Sequence, residues 1–195
     1  MNKNNRKKII IFASGAGTNA QKIIDYFKRN KNVKIVLIVS NNSKAGVLAI
    51  AAKENIPVLL IEKNLFIETG YLHEIKKYNP DLIVLAGFLW KIPETLIASF
   101  PQKIINIHPA LLPAHGGKGM YGNKVHIAVI DAKEKKSGIT IHYVDEKYDH
   151  GKTIFQATCA VEKNDTAESL ASKIHLLEHE YYPKTIDKIL KGNNS

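Results

Sequence analysis

Three observations predict an α/β fold built on a mostly parallel, twisted sheet with helices on both faces. First, continuous apolar, β-branched runs such as Ile9-Ile10-Ile11-Phe12 and Leu82-Ile83-Val84-Leu85 recur with helix-spaced segments between them. Runs of this kind belong to strands buried on both faces. Second, the first run leads into a glycine loop and then a helical pattern. Third, Ile104-Ile105 runs into Asn106-Ile107-His108-Pro109, so an amide and an imidazole share one face at a strand end. Open α/β sheets hold their chemistry at such ends.

In order, Lys7 to Ala13 is the first strand and Ser14-Gly15-Ala16-Gly17-Thr18-Asn19 the turn, after which Ile23, Ile24 and Phe27 give Gln21 to Arg29 an apolar helical face. Val33 to Val39 is a second strand, Ala45 to Glu54 a helix ended by Pro57, and Val58 to Ile61 a short third strand. Leu72 and Ile75 predict one helix over about Phe66 to Tyr78, closed by Pro80 before the fourth strand at Leu82 to Leu85. A loop over Ala86 to Pro93, a short helix at Glu94 to Ser99 and a fifth strand at Lys103 to Ile107 follow. Strands and helices alternating in this way call for parallel pairing.

Beyond Pro113 the pattern changes. His115 to Gly122 is glycine-rich and reads as a mobile loop, and Val125 to Ala132 as a short helix. Ile139 to Val144 alternates as a strand and Thr153 to Val161 is another, a pair expected to be antiparallel at one side of the sheet. Thr166 with Ser169 offers half of a capping signal, and Leu170, Ile174, Leu177, Tyr181 and Ile186 mark a long closing helix to about Leu190.

At 195 residues and 45% hydrophobic, without a compositional break, the chain is expected to form one domain over 1–195, with residues 1–6 and 191–195 as flexible tails. The single Cys159 leaves no internal disulfide and suits a reducing compartment. No run approaches the ~20 apolar residues of a membrane helix, and Met1 to Lys8 lacks a signal-peptide core, so a cytoplasmic protein with no membrane partner is expected. The net charge of +10 comes from scattered lysines with only Arg6 and Arg29 beside them. That distribution argues against a nucleic-acid partner, while the positive field favours a small anionic substrate.

Gly15-Ala16-Gly17-Thr18-Asn19-Ala20 fits G-x-G-x-x-G/A between a strand and a helix, but the second strand ends in Ser40-Asn41-Asn42 without the carboxylate that holds a dinucleotide ribose. What survives is a phosphate seat from the N–H groups of Gly17, Thr18 and Asn19 and the Thr18 hydroxyl, against the plainer reading of a tight turn. His175-Leu176-Leu177-Glu178-His179 matches H-x-x-E-H, yet no motif supplies a third ligand, so no metal is expected. Glu178 suits sugar hydroxyls instead. Ser14, Ser137 and Ser169 lack a nucleophile elbow and Cys159 sits mid-strand without a flanking base, so no covalent intermediate is expected.

Asn106 reads as an oxyanion donor and His108 as a proton-transfer group, against a strand-end histidine bonded only to backbone. Asp145, Glu146 and Asp149 cluster after the Ile139 to Val144 strand, with Gly151 permitting a tight turn. Such carboxylates are usually solvated turn residues. Beside His108, however, an aspartate would orient the imidazole and raise its pKa.

These stretches resemble the folate-dependent formyltransferase superfamily. The carrying residues are Ile11-Phe12-Ala13-Ser14-Gly15-Ala16-Gly17-Thr18-Asn19, Pro80-Asp81-Leu82-Ile83-Val84-Leu85-Ala86-Gly87-Phe88 and Asn106-Ile107-His108-Pro109-Ala110-Leu111-Leu112-Pro113. Ser137-Gly138-Ile139-Thr140-Ile141-His142 with Asp149, and Glu178-His179-Glu180-Tyr181-Tyr182-Pro183, complete a match over essentially the whole chain.

The resemblance implies a Rossmann-like formyltransferase fold with an antiparallel strand near the C-terminal part. It implies direct transfer of the formyl group of 10-formyltetrahydrofolate to the amine of glycinamide ribonucleotide, in de novo purine biosynthesis, through a tetrahedral intermediate and without a metal. Asn106, His108 and Asp149 would be catalytic, Gly17, Thr18 and Asn19 would hold the phosphate, and Glu178 the ribose. The folate would lie against Leu89, Trp90, Lys91, Ile92, Asn106, Asp145, Glu146, Lys147, Tyr148 and Asp149. The partners implied are these small molecules, with the chain a monomer or homodimer.

Three departures stand out. Leu89-Trp90-Lys91 replaces a common Met-Arg, Asn64 replaces a common arginine, and the Gly116 to Gly122 loop, in which Lys118 is placed to add a phosphate contact, differs from the commoner Tyr-Pro-Gly form. The alternatives are another 10-formyltetrahydrofolate-dependent formyltransferase, members of which need further domains for which 195 residues leave no room, a nucleotide-dependent oxidoreductase on the glycine loop, and a zinc peptidase on His175 and His179.

Overall fold

Ile9, Ile10, Ile11 and Phe12 are all fully buried, because the strand they form, β1 (Lys7–Phe12), is covered by helices on each face. Alternate side chains go to opposite sides. Ile9 and Ile11 join one core with Ile23, Ile105, Ile174 and Tyr182, while Ile10 and Phe12 join a second with Leu37, Phe66, Ile75 and Leu96. Burial of each such side chain contributes about 1.5–3 kcal/mol, which fixes the strand and its register.

The computed structural model describes residues 6–192. After β1 come α1 (Thr18–Phe27), β2 (Val33–Ser40), α2 (Val47–Lys53), β3 (Val58–Leu60), α3 (Lys63–Ile67), α4 (Leu72–Lys77), β4 (Leu82–Leu85), α5 (Glu94–Ser99), β5 (Ile104–His108), α6 (Asn123–Asp131), β6 (Lys136–Tyr143), β7 (Thr153–Ala160) and α7 (Ala167–Leu190). The sheet order is β3-β2-β1-β4-β5-β6-β7, parallel through β5 and antiparallel at β5–β6 and β6–β7. The chain leaves β1 toward β2 on one side and returns to β4 on the other. A crevice therefore opens beyond the C-terminal ends of β1 and β4, at the switch point of the topology.

Of the expected tails, residues 1–5 and 193–195 lie outside the described residues. Lys191 and Gly192 close α7 through backbone bonds to Asp187 (3.1 Å) and Ile189 (3.0 Å).

Two local expectations need correction. The single helix over Phe66 to Tyr78 is two, α3 and α4, separated by a turn in which Thr69 adopts φ 69°. The Thr69 N–H bonds to Phe66 O (3.3 Å) and the Gly70 N–H to Leu65 O (2.9 Å), the pair of bonds that defines a Schellman stop. A threonine in the left-handed position hides that stop from a reader looking for glycine there. At the start of α7, Thr166 and Ser169 form a complete capping box, since the Ser169 hydroxyl accepts from the Thr166 N–H (2.9 Å) where a longer Glu or Gln is usual.

Candidate active site

β5 pairs antiparallel with β6 so that Asn106 stands opposite His142 and His108 opposite Thr140. Cross-strand partners share a face, so four polar side chains gather at the end of two apolar strands. The Thr140 hydroxyl donates to Ala110 O (2.7 Å) and accepts from the Leu112 N–H (2.9 Å), which ties the proline-framed loop after β5 to β6. Asn106 Nδ2 lies 3.2 Å from His142 Nε2.

Asp149 reaches this group from the loop after β6. Gly151 is needed there for close approach, not for a left-handed turn: a Cβ at Gly151 would stand 1.9 Å from Tyr143 O, and the residue with positive φ, 52°, is Asp149 itself. Aspartate tolerates that region better than most side chains. Asp149 Oδ2 accepts the Gly117 N–H (3.0 Å) and lies 3.4 Å from His108 Nδ1, while Oδ1 lies 3.5 Å from Asn106 Nδ2 and 3.7 Å from His142 Nε2.

These contacts set the proton positions. The nitrogen His108 Nε2, 2.8 Å from the carbonyl of His115, must carry a proton, because a carbonyl only accepts. His108 Nδ1 then faces the Asp149 carboxylate, so a second proton would be well received there. Burial opposes it. With His108 3% exposed, desolvation outweighs the attraction of Asp149 and the His115 carbonyl, and the pKa falls below the ordinary histidine value. The aspartate thus does orient the imidazole and does push its pKa upward, but the net rise expected from the sequence is not what the structure gives.

For Asp149 burial presses the other way, yet hydrogen bonding with His142, the neighbourhood of His108 and the Gly117 N–H outweigh it and keep the carboxyl below its usual range. The resting centre therefore pairs a neutral imidazole with an ionised carboxylate. The Asn106 amide turns its Nδ2 toward His142 and Asp149, since its oxygen there would oppose the Asp149 carboxylate. His142 Nδ1 donates to Tyr143 O (2.8 Å), which fixes the ring with Nε2 toward Asn106 and Asp149.

The other end of the crevice is made by main chain. Gly17, at φ 80°, precedes α1, and a Cβ there would come within 2.8 Å of Val47 Cβ. The missing side chain gives room to α2 rather than to a dinucleotide. Ser14 Oγ accepts the Leu89 N–H (3.0 Å) and the Ser14 N–H bonds Gly87 O (3.0 Å), so the loops after β1 and β4 are stitched together. α7 crosses beneath, held by the buried Tyr182 hydroxyl donating to Leu85 O (2.9 Å). One turn earlier Glu178 is buried, accepting from Asn19 Nδ2 (3.0 Å) and pairing with His175 Nδ1 (2.9 Å).

Between the two ends lies a cavity of about 390 Å³. Its wall includes Gly17, Thr18, Asn19, Glu178, Leu89, Trp90, Lys91, Ile92, Asn106, His108, Asp145, Lys147, Tyr148 and Asp149. Two expected members stand apart: Glu146 and Lys118 are exposed, and neither lies on the wall, although Gly117 and Gly119 beside Lys118 do. Sequence reasoning gave no role to His142 and His126, both on the wall, or to the His115 carbonyl and the Gly117 N–H. Period-two alternation puts His142 and Thr140 on one face of β6, so pairing β6 beside β5 would have found His142. Backbone contacts from a glycine loop leave no such trace.

His175 and His179 stack with ring centroids 6.1 Å apart, but no group of three or more His, Cys, Asp or Glu placed to hold a metal ion occurs among the described residues. Nor is any helix among them long and apolar enough to cross a membrane.

The sequence pattern of the formyl transferase family matches residues 7–186. The chloroplastic phosphoribosylglycinamide formyltransferase of Arabidopsis thaliana is 40% identical over 94% of this chain, and the phosphoribosylglycinamide formyltransferase of Bacillus subtilis (strain 168) 36% identical over 96%. The chain spans 65% of the Arabidopsis protein's length, 61% of that of the chloroplastic enzyme of Vigna unguiculata, and 97% of that of the Bacillus subtilis protein. The crystal structure of phosphoribosylglycinamide formyltransferase from Bacillus halodurans superposes with a TM-score of 0.86 at 35% identity, covering 94% of this chain and 95% of that one. The corresponding structure from Anaplasma phagocytophilum gives 0.87 at 34%, covering 95% and 87%.

Proposed function

Since this chain belongs to the formyl transferase family, we propose that it transfers the formyl group of 10-formyltetrahydrofolate to the amine of glycinamide ribonucleotide, giving N-formylglycinamide ribonucleotide and tetrahydrofolate in de novo purine biosynthesis. The observation that carries the reading is the convergence of Asn106, His108 and Asp149 on one cavity whose far end is the glycine loop and Glu178. A nucleotide phosphate sits on the N–H groups of Gly17, Thr18 and Asn19 at the start of α1, where the helix dipole favours negative charge. Glu178, buried and already holding Asn19, accepts from ribose hydroxyls. The reduced folate lies between Leu89 to Ile92 and the loop Asp145 to Asp149. The enzyme works in the cytoplasm on small molecules alone.

In the reaction the substrate amine attacks the formyl carbon, a C–N bond forms, and the carbonyl electron pair moves onto oxygen. One Asn106 Nδ2–H exchanges a long bond of 3.2 or 3.5 Å for that oxyanion, a stronger charged acceptor. His108, neutral at rest, takes the proton released by the amine at Nδ1 and becomes an imidazolium held between the His115 carbonyl and Asp149. It returns that proton to N10 of the folate as the C–N10 bond breaks. No covalent enzyme intermediate is required.

Tetrahydrofolate release, followed with the wild type, His108→Ala and Asp149→Asn, tests the reading. Turnover of the wild type with a loss in both variants supports it. Undiminished rates in both variants would overturn the mechanism, and no wild-type turnover would overturn the substrate assignment.

A further inference from the structure

His126 is a cavity-lining side chain that the proposed reaction does not use. It lies on α6 between the buried Val125 and Val129, is itself only 3% exposed, and forms part of the wall shared with His108, His175 and Glu178. Its Nδ1 is sealed from solvent and has no hydrogen-bond partner among the described residues. With nothing to accept from Nδ1, the neutral ring keeps its single proton on Nε2, the ring nitrogen that is not sealed away. Burial and the neighbouring His175 both favour the uncharged ring, and Glu178 only partly opposes them. His126 therefore offers one neutral N–H to whatever fills the space beside it.

The position narrows what that is. His126 shares the cavity wall with His175 and Glu178 on the ribose side and with His108 at the reacting end. A substrate anchored at Glu178 and reacting at His108 runs its connecting segment along the wall to which this ring belongs. A phosphate would call for several donors or a cation, and a hydroxyl would also need an acceptor. One uncharged donor suits a carbonyl oxygen.

We propose that His126 is a specificity-determining residue whose Nε2–H binds the carbonyl oxygen of the amide segment joining the ribose to the attacking amine. The inference rests on the function proposed above. It explains how the site distinguishes an aminoacyl amide from a plain amine of similar length: an analogue without the carbonyl leaves a donor in a closed cavity unpaired, the kind of penalty by which polar pockets reject their near-isosteres.

Steady-state kinetics with glycinamide ribonucleotide, and with an analogue whose amide carbonyl is reduced to methylene, test it on the wild type, His126→Phe and His126→Gln. His126→Phe is expected to raise KM for the ribonucleotide about tenfold, the worth of one such hydrogen bond, while leaving KM for 10-formyltetrahydrofolate unchanged. The glutamine amide restores most of the loss. The wild type uses the analogue about tenfold less well, whereas His126→Phe treats the two compounds alike. A merely structural role would not produce that loss of discrimination, and His126→Leu gives the same comparison if the phenylalanine variant does not fold. A wild type that turns over while His126→Phe or His126→Leu keeps the full preference for the carbonyl compound overturns the inference alone. Failure of the wild type with the ribonucleotide overturns the parent reading and this inference with it.

Discussion

The two ends of the cavity are built in different ways. At the glycine-loop end the proposed phosphate seat is main-chain N–H groups at the start of α1, held by parallel strands and by the packing of Gly17 against Val47. At the β5–β6 end they are side chains, Asn106, His108 and His142, brought together by antiparallel register and completed by Asp149 from a loop. At the first end the glycine loop depends on backbone shape and tolerates changes of side chain except where a side chain would intrude or where, as at Asn19, it holds Glu178. The second depends on a few functional groups and their proton positions. Substitutions should therefore act on binding and stability at one end and on turnover at the other.

The largest effect falls at the side-chain end. His108→Ala removes the proton relay, and a loss of about 10²–10⁴ in kcat is expected. Asp149→Asn sharpens the electrostatic part. The acid limb of the kcat/KM profile reports the neutral His108 of the free enzyme, whose pKa lies below the ordinary value because burial outweighs Asp149. Activity is then lost as pH falls through that depressed pKa. Removing the carboxylate takes away an influence that raises it, so the limb moves to still lower pH while the maximal rate drops. A limb that moved upward, or stayed in place, would show that His108 does not govern the profile.

How much of this was legible in the sequence follows the same division. The apolar runs of β1, β2 and β4 announce their own strands, and Gly15-Ala16-Gly17 its own turn, because the determinants are local. Asn106 and His108 were visible as a period-two pair on one strand. His142 was not given a role, because its part depends on β6 lying beside β5 in a register that places it opposite Asn106. The His108 pKa went the other way because sequence spacing suggests a charged neighbour but carries no measure of burial. The sequence pattern joins α3 and α4 into one helix because the stop between them uses Thr69 in a conformation where glycine is the usual signal.

At the main-chain end, Gly17→Ala is the sharpest probe. A methyl group at φ 80° is strained and would press within 2.8 Å of Val47 Cβ and 2.9 Å of Val47 Cα, so trimming Val47 relieves only part of the clash. A loss of about 1–3 kcal/mol in stability is expected, read as a lower Tm. KM for the ribonucleotide should rise with kcat at saturation largely kept. A fall confined to kcat would break the comparison, because it would make the glycine loop part of the reacting centre.

His142→Phe should give a smaller change of the opposite kind. The ring volume remains, but the polar contact with Asn106 Nδ2 and the anchor to Tyr143 O are lost. Asn106 is then less well placed for the oxyanion, and kcat falls about tenfold with both KM values nearly unchanged, the pattern of an interaction made mainly in the transition state.

The smallest effect is expected where an element serves the site without forming it. Ser169→Ala removes half of the capping box and leaves the Thr166 N–H without its side-chain partner, at a cost of about 1 kcal/mol in stability. The damage stays at the first turn of α7. Further along the helix Glu178 is located by Asn19 and His175, and Tyr182 by its bond to Leu85 O, none of which uses the cap. Thermal unfolding should therefore shift while KM and kcat at temperatures well below Tm do not. A rise in KM for the ribonucleotide would mean that α7 transmits disorder from its N-terminus to Glu178, and that the ribose end depends on the helix as a whole rather than on its local bonds.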